Sequence, residues 1–315
     1  MKFSPDGKLI AVAAGKLVQI WRSPAFRKEY FPFELIRTFA DFHAKVTAFD
    51  WSSDSNYLLV ASKDLTARIL CLKKVYGGVK YKPFLFLGHR DSVVGSFFGV
   101  DSKTSKVSKV YTVTRDCYIL SWGFTEDEES SEPPSPGTPD RDVEGDLMVE
   151  DDGDVKKRKE REFDDGGYLC KGKWELLRKD CFNQAPAKVS ACDYHRGLDM
   201  VVVGFSNGVF GLYQMPDFVC IHLLSISKAK ITTAMFNDLG NWLSFGCAKL
   251  GQLLVWEWRS ESYILKQQGH YFDVNCVAYS QDSQLLATGA DDNKVKVFTL
   301  TLYFLLINIW FEFHG

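Results

Sequence analysis

His89, Thr112, Asp116 and Trp122 fall within one stretch of this sequence, and His270, Thr288 and Asp292 repeat the first three at a second place. An imidazole, a hydroxyl and a carboxylate are the parts of an activated nucleophile: the base takes the hydroxyl proton and the acid orients the base. With an indole N–H beside them, the same groups can instead satisfy one another's hydrogen bonds inside a sheet. Recurrence, and the Trp beside the first set, favour the structural reading, so no catalytic residue and no cofactor are expected. Eight cysteines lie singly among apolar residues without a Cys-x-x-Cys pair, and the six histidines supply no cluster either. Metal binding is therefore not expected, and the cysteines read as small buried hydrophobes of a reducing compartment.

The elements that must position these groups repeat. The aromatics Phe3, Trp51, Phe98, Tyr194, Phe236 and Tyr279 are followed by Trp21, Leu70, Trp122, Tyr213, Trp256 and Phe298, at offsets of 18, 19, 24, 19, 20 and 19 residues. Only the third is stretched, by the polar run Asp101 to Lys109. Turn residues such as Ser4-Pro5-Asp6-Gly7 and Ser52 to Ser55 follow the aromatic, and short β-rich runs come next. Self-similarity of this kind, with four short strands per unit, predicts an all-β chain folded as a β-propeller with about six repeats visible. Only Lys2-Phe3 precedes the strands Leu9 to Ala13 and Leu17 to Trp21, so the first blade is expected to be partial.

Repeat three resembles the WD-repeat family closely. Gly88-His89 opens it, Val110 to Asp116 supplies a strand and turn, and Trp122 closes it. The resemblance implies a hydrogen-bonded tetrad of His89, Thr112, Asp116 and Trp122 that fixes the blade. Repeat six keeps Gly269-His270, Thr288 and Asp292, with Phe298 at the Trp position. Repeat two keeps His43 and Asp64 but has Val60 and Leu70; repeat four has Asn207 and Tyr213; repeat five retains Trp256.

Charge is divided unevenly. The whole chain carries −2, but residues 125–166 hold 17 acidic and 6 basic residues, a local −11, which leaves +9 on the other 273. A basic body with an acidic tether suits work among nucleic acid and basic partners, and suits equally an ordinary solvated surface beside a solubilising loop. The division expected is 1–124 and 167–300 as WD-repeat blades, 125–166 as an acidic disordered insertion, and 301–315 as an atypical apolar tail. Ser135 and Thr138 precede prolines and are candidate phosphorylation sites; Lys156 to Arg161 could be read by a nuclear import receptor. Met1 to Gly7 show no charged region followed by an apolar stretch, so secretion is not expected. The run Thr299 to Phe311 is too short to span a bilayer comfortably and reads as the mark of a truncated C-terminus.

Several stretches are narrower in their likeness: Lys2 to Lys8 leading to Val18-Gln19-Ile20-Trp21, Ser62 to Leu65, Gly88 to Asp91, and above all Lys249 to Trp258 continuing through Ser260 to His270. Together with the acidic insertion, they resemble one branch of the WD-repeat family, over about residues 2 to 298. That resemblance implies a nucleolar, non-catalytic scaffold of ribosome biogenesis within the UTP-B part of the small-subunit processome. Its partners would be other UTP-B proteins, a small nucleolar ribonucleoprotein and pre-rRNA, reached directly or through neighbours, with no small-molecule substrate and no membrane. The alternative is an adaptor that presents peptide motifs to a ubiquitin ligase or chromatin complex. Members of the branch have further blades at both ends. The chain is thus expected to be an incomplete propeller, an open arc with exposed strand edges and poor solubility when alone.

Overall fold

The computed structural model describes residues 1–24, 32–72, 82–100, 106–125, 169, 173–249 and 251–300, together with the backbone of Ile309–Glu312. The expected insertion, with Ser135, Thr138 and the basic run after them, lies outside these residues, apart from Thr125 at its edge.

Among the described residues twenty-four strands form six four-stranded antiparallel sheets, each a meander. Their first strands are Lys2–Phe3, Val46–Trp51, Val93–Val100, Val189–His195, Ile231–Phe236 and Val274–Tyr279, and residues from all six line one central channel. The chain is a six-bladed β-propeller. Middle strands such as Tyr57–Ser62 and Met200–Phe205 are buried along their whole length. Outer strands such as Val219–Ser225 are mostly exposed. Both faces of a middle strand meet a neighbouring blade, so its sequence is a continuous apolar run rather than an alternating one.

Apolar clusters join blades one and two (Ile20, Phe39, Trp51, Leu58), two and three (Phe86, Phe98, Trp122, Trp174), three and four (Phe97, Tyr111, Phe205), four and five (Phe210, Phe245, Trp256), and five and six (Val255, Leu286, Phe298). Among the described residues no such cluster bridges blades six and one. A hydrogen-bonded seam runs beside this packing. The hydroxyls of Thr47 and Ser190 donate to the carbonyls of Val93 (2.5 Å) and Ile231 (2.6 Å), the first residue of the next blade, and Thr232 does the same to Val274. Asp50 and Asp193 accept the N–H of Phe98 (3.0 Å) and Phe236 (2.9 Å) across the same boundaries.

Blade one is complete in strand number, contrary to expectation: Lys2–Phe3 pairs with Leu9–Ala14, and Glu34–Phe39 closes the sheet. A blade and a sequence repeat are offset by one strand, because each outer strand precedes the Gly-His that opens the next repeat. The same offset moves two other features. The acidic insertion falls inside blade three, between Tyr118–Thr125 and Lys173–Cys181. Ser262–Gln268, which stands between repeats five and six in the sequence, is the outer strand of blade five, with Tyr263 exposed there. In blade six the outer position is taken by Ile309–Glu312, whose backbone pairs with Lys294–Val297. Part of the segment set apart as a tail thus completes a sheet.

Candidate functional site: blade tetrads and the channel mouth

In blade three Trp122 Nε1 donates to Thr112 Oγ1 (3.1 Å), and Thr112 Oγ1 lies 2.9 Å from His89 Nε2. The indole proton occupies one lone pair of the hydroxyl, so the hydroxyl proton is directed at Nε2, which leaves the proton of a neutral imidazole on Nδ1. That nitrogen meets the carbonyl of Leu65 in blade two at 3.0 Å. Asp116, the fourth expected member, is not in this chain of hydrogen bonds. Its carboxylate accepts the Thr114 hydroxyl at 2.5 Å. The backbone carbonyl of Leu65 already fills the place on His89 that the tetrad pattern gives to a carboxylate.

Blade six has the carboxylate in place. His270 Nδ1 lies 3.0 and 3.1 Å from the two oxygens of Asp292, and Nε2 lies 2.7 Å from Thr288 Oγ1. Phe298 ends the relay where an indole would continue it. Blade two replaces the tetrad with an ion pair. Arg68, buried, places Nη2 3.1 Å from Asp64, its Nε 3.3 Å from Thr66 Oγ1, its Nη1 against the carbonyl of Asp41, and its guanidinium over the Phe42 ring at 5.0 Å. His43 joins this group only through its backbone N–H, which donates to Asp64 (3.2 Å). Sequence reasoning misses Arg68, although a signal is there: an Arg at an inward register position opposite Val60 and four residues after Asp64.

These constellations are closed. Thr112 and Thr288 are fully buried and held by hydrogen bonds, which is the geometry of a brace. Cys192 lines the channel, but burial first, then the charge of Asp193, pushes its thiol up to about 12, so it is held protonated. Among the described residues no group of His, Cys, Asp or Glu could hold a metal ion.

Burial also pushes His89 below its ordinary pKa. It lowers His270 as well, against the upward pull of the Asp292 hydrogen bond and charge. A histidine whose folded pKa lies below its unfolded value of about 6.5 leaves stability intact above that pH and removes it as the pH falls below. The melting temperature is therefore expected to decline from about pH 7 to about pH 5. The decline should flatten in a chain carrying His89→Asn and His270→Asn. A level profile in the parent chain would contradict the neutral, buried imidazoles.

The open feature is the channel mouth, at the end where the first strands begin. Lys45, Lys188 and Lys230 immediately precede first strands, and Lys63 and Arg115 lie in the turns between second and third strands. All five line a cavity of about 930 Å³ and all are exposed. At the opposite end Arg196 of blade four reaches past blade three to Asp50 (2.6 Å) and the carbonyl of Trp51 in blade two.

Six meander blades around one channel, braced by His–Thr hydrogen bonds, define a WD-repeat propeller protein. A family model described as "WD domain, G-beta repeat" matches residues 33–69 and 261–299, each segment beginning near an outer strand and ending in the next blade, as the offset requires. The chain is 65% identical to "Periodic tryptophan protein 2" of Arabidopsis thaliana over 95% of its own length and 36% of that protein. It is 38% identical to the protein of the same name in Saccharomyces cerevisiae, over 97% of this chain and 30% of that one, and 31% identical to a homolog in Mus musculus, over 98% of this chain and 34% of that one. This chain is a WD-repeat protein of the periodic tryptophan protein 2 family. It spans about a third of the length of these relatives.

Proposed function

We propose that the chain is a non-catalytic scaffold of ribosome biogenesis, a subunit of the UTP-B part of the small-subunit processome that supports processing of pre-rRNA to 18S rRNA in the nucleolus. The observation that carries this reading is the 65% identity to a periodic tryptophan protein 2 along 95% of the chain. Two features support it. The His, hydroxyl and carboxylate groups of blades three and six are consumed in bracing the sheets, and the body outside residues 125–166 carries +9, which favours proximity to phosphates. A rigid propeller offers two faces and a rim to separate partners, with loops making the contacts and strands holding them in place. Those partners are other UTP-B proteins, a small nucleolar ribonucleoprotein and pre-rRNA.

The test is affinity purification of the tagged chain from cells of its own source, followed by mass spectrometry and RNA sequencing with and without ribonuclease. Processome proteins with pre-rRNA are the expected yield. Recovery of a ubiquitin ligase or chromatin complex would replace this reading with the adaptor alternative, and chaperones alone would overturn both for this chain.

A further inference from the structure

Five cations of four consecutive blades converge on one axial cavity: Lys45 and Lys63 of blade two, Arg115 of blade three, Lys188 of blade four and Lys230 of blade five. Among the described residues none of the five is paired with a carboxylate; the ion pairs present engage other cations. Lys2 adds a sixth positive charge deeper in the cavity, against the single lining carboxylate, Asp193. Asp193 is already committed to the N–H of Phe236. Like charges gathered around a concave, low-dielectric wall repel one another and raise the local concentration of anions.

The arrangement also says what shape of anion fits. A polynucleotide strand is bound by a track of cations along a groove, with aromatic platforms for successive bases. Here the cations stand on four of the six blades around one cavity, Asp273 and Asp291 hold the corresponding places on blade six outside its lining, and the exposed aromatics of the same face, Tyr271 and Phe272 on blade six, lie outside the lining as well. We propose that the channel mouth is a binding site for one compact polyanion carrying clustered phosphate groups, a multiply phosphorylated small molecule, held by Lys45, Lys63, Arg115, Lys188 and Lys230. The site is separate from the assembly role and stands or falls independently of it.

The probe is inositol hexakisphosphate, titrated calorimetrically into the whole chain at near-physiological salt. A single-stranded RNA oligonucleotide and a poly-glutamate peptide serve as comparison ligands. One molecule per chain is expected to bind and to raise the melting temperature. Lys63→Gln with Lys188→Gln should weaken binding by about tenfold for each charge-assisted hydrogen bond that the substitution removes. Both side chains are exposed, so the fold should survive, as a melting curve without ligand will show. Lys8→Gln, in a turn at the other end of the channel, should leave binding unchanged. The proposal is overturned if no saturable binding occurs, or if the Lys8 and Lys63/Lys188 variants bind alike. It is also overturned if the oligonucleotide or the peptide binds while the hexakisphosphate does not.

Discussion

Replacing Arg68 by alanine is expected to destabilise the chain by about 3–5 kcal/mol, the cost of leaving one partner of a buried ion pair without the other. Both side chains are mostly inaccessible, at 9% for Arg68 and 7% for Asp64, so water cannot replace the missing guanidinium. Its removal also strands the Asp41 carbonyl and the Thr66 hydroxyl and takes the cation from the face of Phe42. Burial alone would raise the Asp64 carboxyl; hydrogen bonds from Thr66 and the His43 N–H, with the Arg68 charge, outweigh it and hold the group below its ordinary value. That contribution is present above the unfolded pKa of about 3.9 and is lost as the pH falls through the folded value. Two measurements check the account. Chemical denaturation near neutral pH should show the full deficit of Arg68→Ala. The gap between parent and variant should narrow as the pH falls, because Asp64 takes up a proton first in the variant and, held below its ordinary value, only at lower pH in the parent. Arg68→Leu combined with Asp64→Leu should recover much of the stability, since removing both charges leaves none unpaired. A deficit under about 1 kcal/mol in Arg68→Ala would place the pair among weak surface interactions.

The sequence made the propeller legible because the blade period is carried by large aromatics and turn residues that survive even where the tetrads do not. Phe236 and Trp256 mark blade five although no histidine opens it. The tetrad chemistry was legible only in part. His270, Thr288 and Asp292 meet as their spacing implies, but Asp116 turns to Thr114 and leaves His89 to a backbone carbonyl, and no pattern of side chains announces where a main-chain acceptor will fall. The limits of a blade are hidden in the sequence for a related reason. An outer strand follows the rest of its own blade in sequence but stands just ahead of the Gly-His opening the next repeat, so a repeat read along the sequence straddles two blades. Arg68 and the cations of the channel mouth escaped because their meaning lies in what they face. A lysine before a strand is unremarkable until others occupy the same place around a ring.

At Gly251 a single methyl group is expected to do severe damage. It lies in the turn between the second and third strands of blade five with φ +53°, and a Cβ built there would sit 1.9 Å from the carbonyl oxygen of His270. The obstacle is backbone, so no rotamer change relieves it. The crowding is built in, because the carbonyl of Gly251 accepts the N–H groups of Gly269 (2.9 Å) and His270 (3.0 Å) and so ties the loop entering blade six to blade five. Gly251→Ala must push that loop away, breaking both hydrogen bonds and shifting His270 off Thr288 and Asp292. Gly7→Ala isolates the conformational part of the effect: φ there is +69°, but nothing lies within 4 Å of the added Cβ. It should cost only the left-handed penalty of about 1–2 kcal/mol. Gly251→Ala should exceed about 4 kcal/mol, lowering the melting temperature by about 8–16 °C or yielding insoluble protein. Amide exchange in the variant should rise first in blade six, at residues 274–279 and 285–290, while blades two to four keep their protection. If Gly251→Ala and Gly7→Ala melt together, the loop into blade six gives way freely, and the last two blades are held by their apolar cluster around Val255, Leu286 and Phe298 and by the Thr232 hydroxyl on the Val274 carbonyl.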